Sequence, residues 1–490
     1  MRSLLLPILC LAALGLQGAW VEGRITDGQR GIPGVQIYPS RVPRVRMVEP
    51  IPTALTDGEG RFRLELPDGD RVLVAEKAGW RRDFLPRQAS TWVLRPAVDP
   101  VRSPMLVVRL DFPDEKAGRS DEELRRLLFS RRPGEASVAN YFHEISKGEL
   151  ELVEGALLHV TDGTHPRPRT DAQRHGMVRR VLEALRGRDL SPFDRIDNAT
   201  GRPGADGKPD HLWIIVPGAP GNVTGQERHL TASSFLFPLP WKPSVQWGVL
   251  FMPEETPLGV LVHEAMHGMG EHRVDDYYMD EKHPLTAGTW DVMDAGQYRG
   301  WDRQHPQEGP WQHDMGYSPA QPMGWTRAEL WYRGRFRETV PTLKVKGRAW
   351  EGWLDPLERA PGVQPQRLLV PDPRRRGAFW ELSVRRPWGF DGGRVGNRWG
   401  AGYEGLVVAR IRPELLSVDG ASKGPVRVVD AHPLTPEPPK PRYPWGRWQL
   451  DDAAFSLGDG EIGLGQDGPL KWQVLEVDGS GRMRIRIRLR

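Results

Sequence analysis

The chain has 490 residues, too many for one hydrophobic core, so its length predicts about three domains. Lys+Arg 68 against Asp+Glu 64 leaves a net charge of only +4, with the basic residues dispersed, which argues against a nucleic-acid partner. Apolar content of 38% with 55 Gly and 46 Pro favours strands and long loops over helical bundles.

In chain order, Arg2 precedes an apolar run from Leu4 to Leu16, followed by small residues Gly18 and Ala19. This pattern predicts a secretory signal peptide over residues 1–19, too short to span a bilayer. The expected product is secreted, with no stable membrane insertion once the signal is removed. Cys10, the only cysteine, lies within the signal, so the exported chain must hold together by packing and bound metal.

Residues 20–98 read as an all-β sandwich. Short alternating runs (Val35–Tyr38, Phe62–Leu66, Val72–Val74) are separated by Asp-Gly turn clusters. The order V-E-G-R-I-T-D-G, T-D-G-E-G-R-F-R-L-E-L-P-D-G and K-A-G-W resembles the carboxypeptidase regulatory-like, prealbumin-type domain. It carries no titratable constellation, so its expected role is folding or spacing.

From residue 99 the pattern becomes α+β. Met105–Leu110 is an apolar run suited to a buried strand, and helices are predicted over Glu122–Phe129, from Ser137 to a close at Gly148 with a Leu150–Leu158 strand after it, and over Thr170–Leu185. The Asp194–Asp210 loop is rich in carboxylates and glycines. Such loops can wrap Ca2+, and the same residues also build plain turns. Strands His211–Val216 and Trp247–Met252 lead into L-G-V-L-V-H-E-A-M-H-G. Residues i and i+4 share one helix face, so His263 and His267 can grip one Zn2+, with Glu264 placed to take a proton from a metal-activated water. Pro257 suits the first turn, and Gly268 and Gly270 the stop.

From residue 336 to 490 the chain is again strand and turn, with a proline-rich linker at Pro433–Pro444. Gly458–Gly463 matches a dinucleotide fingerprint by letter only, without a surrounding β-α unit, and reads as a glycine-rich loop.

Several motifs line up in order: P-M-L-V-V-R-L-D-F-P-D, V-A-N-Y-F-H-E-I-S-K-G-E-L, D-G-K-P-D-H-L-W-I-I-V-P-G, H-E-A-M-H, G-T-W-D-V-M-D-A-G and P-M-G-W. Together they resemble the immune inhibitor A family of secreted zinc metallopeptidases, of the metzincin type. The resemblance implies a zincin-like catalytic domain over residues 99–335. It makes His263 and His267 zinc ligands, Glu264 the general base, and Met293 the methionine of the turn beneath the metal. Tyr298 is a candidate for stabilising a transition-state oxyanion.

The family pattern continues H-E-x-x-H-x-x-G-x-x-D, and here this chain departs from it. Three residues after Gly270 stands Arg273, which stays protonated and cannot bind metal. Aligning the family's P-D-x-Y with Val274–Tyr277 makes Asp275 the third ligand, with His272 and Asp276 as alternatives. The expected function is hydrolysis of protein or peptide substrates. The alternative is a catalytically inactive surface-binding protein on the same scaffold, motivated by the displaced third ligand and the flanking β modules.

Overall fold

The structure, a computed structural model, describes residues 19–41, 50–66, 72–86, 89–220, 232–269, 274–277, 286–298, 318–394, 404–416, 424–434, 450, 452–458 and 461–490. The signal segment before residue 19, with Cys10, lies outside them, as do His272, Arg273 and most of the proline-rich linker. The protein is β-rich, with several sheets and few helices. No helix among the described residues is long and apolar enough to cross a membrane.

Strands β1 (Ala19–Thr26), β2 (Gln36–Pro39), β3 (Ala54–Leu55), β4 (Arg61–Leu66), β5 (Val72–Glu76), β6 (Asp83–Pro86) and β7 (Thr91–Val93) form two small sheets, ordered β4-β1-β7 and β3-β2-β5-β6. In β4 every second residue points inward. Phe62, Leu64 and Leu66 thereby join Val21, Ile25, Ile37 and Leu73 in one apolar cluster.

The central sheet contains β8 (Val101–Asp111), β9 (Leu150–Thr161), β10 (Leu212–Val216), β11 (Ser233–Leu239) and β12 (Lys242–Pro253), ordered β11-β12-β10-β8-β9. Only β11 runs antiparallel to its neighbour. Both faces are apolar: Met105, Val107, Trp213, Ile215, Leu250 and Met252 face one cluster, and Leu106, Val108, Leu212, Ile214, Val249 and Phe251 the other. The continuous apolar runs follow from this two-sided burial. Helices α1 (Asp121–Phe129), α2 (Val138–Ile145) and α4 (Leu258–Gly268) cover the first face, and α3 (Asp171–Leu185) the second. Capping boxes at Ser120/Glu123 and Thr170/Gln173 start α1 and α3. Helix α2 closes at the glycine that the sequence marks as its stop: Lys147 and Gly148 turn into left-handed conformations at φ 59° and 84°.

The last third supplies β13 (Thr342–Lys344), β14 (Ala349–Leu354), β15 (Arg367–Pro371), β16 (Phe379–Arg385), β17 (Gly405–Ile411), β18 (Val426–Val428), β19 (Leu464–Asp467), β20 (Leu470–Val477) and β21 (Met483–Leu489). They form sheets β13-β15-β16-β17-β18 and β14-β21-β20-β19. Alternation along β17 divides its side chains. Leu406 and Val408 pack between the two sheets, whereas Val407, Ala409 and Ile411 join the apolar cluster of the central sheet. The C-terminal strands therefore share a core with the central region. The N-terminal sheets instead meet it through charges: Arg81 pairs with Glu149 and Arg82 with Glu144, each at 2.9 Å.

Candidate metal centre

Helix α4 presents His263 and His267 one turn apart, its first turn set by Pro257. Its C-terminal end lies tightly against the sheet. A Cβ at Gly268 would stand 2.5 Å from Leu250 Cδ1 and 2.9 Å from Ser234 Oγ. Only glycine permits that approach, and it brings Glu264 beside β11. The backbone N–H of Ser234 donates to the Glu264 carboxylate.

Each imidazole is oriented by a backbone carbonyl. His263 Nδ1 lies 2.8 Å from the Val292 oxygen, and His267 Nδ1 bonds the Val274 oxygen. A carbonyl only accepts, so both Nδ1 atoms carry hydrogen and both Nε2 lone pairs are available. Those Nε2 atoms stand 3.1 Å apart. Asp276 Oδ1 completes the group, 2.9 Å from His263 Nε2 and 3.1 Å from His267 Nε2. A tetrahedral zinc with bonds of about 2.0–2.1 Å needs its ligand atoms about 3.3 Å apart, so the three donors fit with a small outward shift. Among the described residues, His263, His267 and Asp276 are the one group of three candidate ligands that converge in this way.

The carboxylate at the histidines is thus that of Asp276 and not of Asp275, where the sequence alignment put the third ligand. Residues 274–277 lie at the site by a backbone bond from Tyr277 N–H to the Met293 oxygen at 2.9 Å. Of the two adjacent aspartates, it is Asp276 whose carboxylate oxygen reaches both imidazoles. His272 lies outside the described residues.

Burial opposes a charge on His263, but hydrogen bonding and the field of Asp276 outweigh it and take its pKa up to about 9. Burial likewise works to raise the pKa of Asp276, yet the two imidazoles hold it well below the usual carboxylate range. Glu264 shifts upward, chiefly because it is buried. Without a metal, the His263 imidazole, protonated at neutral pH, balances Asp276.

The turn around Met293 is built by two buried aspartates. Asp291 accepts from Met293 N–H at 2.9 Å, from Met323 N–H at 2.8 Å and from Thr326 Oγ1 at 2.6 Å. Asp294 accepts from the N–H groups of Ala287 and Gly288, both at 2.8 Å. Thr326 gives its hydroxyl proton to Asp291, so the Tyr277 hydroxyl donates to Thr326 across 2.8 Å. The result is a closed ring, Tyr277–Thr326–Asp291–Met293–Tyr277, whose turn also carries the Val292 oxygen that orients His263. Met293 is fully buried in the same apolar cluster as Val262, Ala265 and Met266.

Sequence reasoning missed β11, Asp291 and Thr326. The alternation Phe235, Phe237, Leu239 before Pro240 was a legible strand signal; the ring joins residues too distant in sequence to leave one. Tyr298 closes a short helix, Ala295–Tyr298. In the Asp194–Asp210 loop, the carboxylates serve as turn caps. Asp194 accepts from Asp206 and Gly207 N–H at 2.9 and 2.7 Å, and Asp210 from Ile196 N–H at 3.0 Å. His143 is buried at the junction with the N-terminal sheets, while His283, His305 and His313 lie outside the described residues.

No protein-family model matches the chain, and no curated protein matches it.

Proposed function

We propose that the protein is a secreted zinc-dependent endopeptidase of the metzincin type, similar to the immune inhibitor A family, with His263, His267 and Asp276 as zinc ligands. The observation that carries this reading is the pair of Nδ1–carbonyl bonds, which leave both Nε2 atoms facing one carboxylate oxygen with a glutamate beside them. Bound zinc would supply Lewis acidity toward a peptide carbonyl and toward water. Glu264, with its pKa raised by burial, takes a proton from the attacking water and passes it to the leaving amine. The Ser234 N–H holds that carboxylate in place. Strand β11 ends its sheet among the described residues, so its outer edge offers backbone N–H and C=O groups to an extended peptide. The inactive-scaffold alternative rests on a displaced third ligand and on the flanking β regions; Asp276 beside the two histidines favours the enzyme over it, and hydrolysis separates the two.

The test is hydrolysis of a quenched, unfolded protein substrate by the exported chain and its Glu264→Gln variant. A loss of about 10²–10⁴-fold in the variant, with activity removed by chelators and restored by zinc, is expected. Equal hydrolysis by both proteins, or none by a folded, zinc-loaded preparation, would overturn the reading.

A further inference from the structure

We propose that the far end of the C-terminal β region is a docking surface for an anionic lipid bilayer. Four chain segments bring cations to that end. The strand register sets Lys471 directly opposite Arg488. Leu489 N–H bonds the Arg348 oxygen at 2.6 Å, which brings Arg348 beside the same strand end. Val345 N–H bonds the Leu369 oxygen at 2.9 Å, placing Lys346 next to the end of β15. The β15–β16 hairpin carries Arg376, and its neighbour Arg374 reaches the backbone of Gly468 in the β19–β20 turn. Lys346, Arg348, Arg376 and Arg488 are exposed and Lys471 half-exposed. Among the described residues none of the five has a carboxylate within 4.0 Å, although most other arginines of this region do.

The acids at this end are already engaged. Asp372 is buried under Arg374 and Arg410, Asp467 accepts from Trp380 Nε1 at 2.7 Å, and Glu414 is shared by Arg375 and Arg412. Like charges directly opposite on neighbouring strands, as at Lys471 and Arg488, destabilise a sheet. The net charge of the whole chain is only +4, so this end is a local concentration rather than a share of a basic protein. The cations come from the Lys346–Arg348 loop between β13 and β14, from the β15–β16 hairpin and from the Lys471–Arg488 pair on adjacent strands, so they are spread over one end and not along one strand, an arrangement that suits a broad charged surface better than a linear polymer. Each cation near an anionic bilayer strengthens binding about fivefold, and salt screens the attraction. The opposite end of β16 remains in the protein, where Arg385 bonds the Trp290 oxygen at 3.0 Å. The proposal is independent of the metal reading.

The test is co-flotation of the full exported chain with phosphatidylcholine vesicles, alone or with added phosphatidylglycerol. Binding to the anionic vesicles only, lost on raising salt, is expected. The five-site variant K346Q/R348Q/R376Q/K471Q/R488Q should bind at least about 100-fold more weakly. A control with five exposed arginines neutralised elsewhere (Arg30, Arg61, Arg179, Arg186 and Arg188 to Gln) should bind like the parent. No binding to anionic vesicles overturns the proposal, as does equal loss in the control. Retention on a sulfated polysaccharide without vesicle binding also overturns it and assigns the end to a linear polyanion.

Discussion

Two buried clusters of histidine and carboxylate lie in this protein, and their chemistry runs in opposite directions. At the junction of the N-terminal sheets, Glu76 is met by His143 Nε2 at 3.2 Å, by the Tyr38 hydroxyl at 2.8 Å and by Arg131, with Arg82 bridging to Glu144 at 2.9 Å. Burial and Arg131 push the pKa of His143 down to about 4 against the pull of Glu76. At the candidate metal centre the described partners of Asp276 are two imidazoles, and His263 is raised to about 9. Permanent guanidinium charge satisfies the carboxylates in the first cluster and leaves its histidine neutral. In the second, the His263 imidazole itself balances the carboxylate, and its proton would leave if a metal entered. What separates the two histidines is the neighbour that supplies the positive charge.

The sharpest way to break this contrast is at the third ligand. Asp276→Asn should weaken zinc binding by about 100-fold or more, while Asp275→Asn should change it only a few-fold, measured by competition with a chelator. The reverse order would remove Asp276 from the site.

The two clusters should also give opposite pH slopes in the metal-free protein. His143 has a folded pKa of about 4, below its ordinary 6.5. Unfolded chains therefore bind its proton more readily, and stability falls as pH drops from 6.5 towards 4, by an amount on the order of 3 kcal/mol. His263 has a folded pKa of about 9, so its contribution is present below 6.5 and is lost as pH rises through 9. Urea unfolding across pH checks both. His143→Gln should flatten the acid limb relative to the parent, and His263→Gln the alkaline limb. An acid limb unchanged in His143→Gln would show that this histidine is not the proton acceptor.

A smaller effect is expected at the ring that joins Tyr277 to the Met293 turn. Thr326→Val removes the hydroxyl between Tyr277 and Asp291 and should cost about tenfold in metal affinity, with Thr326→Ser restoring it. A cobalt-substituted spectrum identical in parent and Thr326→Val would show that the ring does not position the ligands.

Local spacing alone placed His263 and His267 on one helix face with Glu264 beside them, because an α-helix makes i and i+4 neighbours regardless of what surrounds it. Alternation and turn residues likewise made about half of the strands of the first and last thirds legible, and apolar spacing predicted α1 and α3. The sequence could not choose between Asp275 and Asp276, since that depends on how residues 274–277 are laid against the site, and the bond that holds them there runs from Tyr277 to Met293, 16 residues away. The carbonyls of Val274 and Val292, which leave the Nε2 atoms free, are likewise brought in by chain return. Chemistry that depends on a helical repeat was written in the sequence; chemistry that depends on which distant backbone atom meets a side chain was decided only by the tertiary fold.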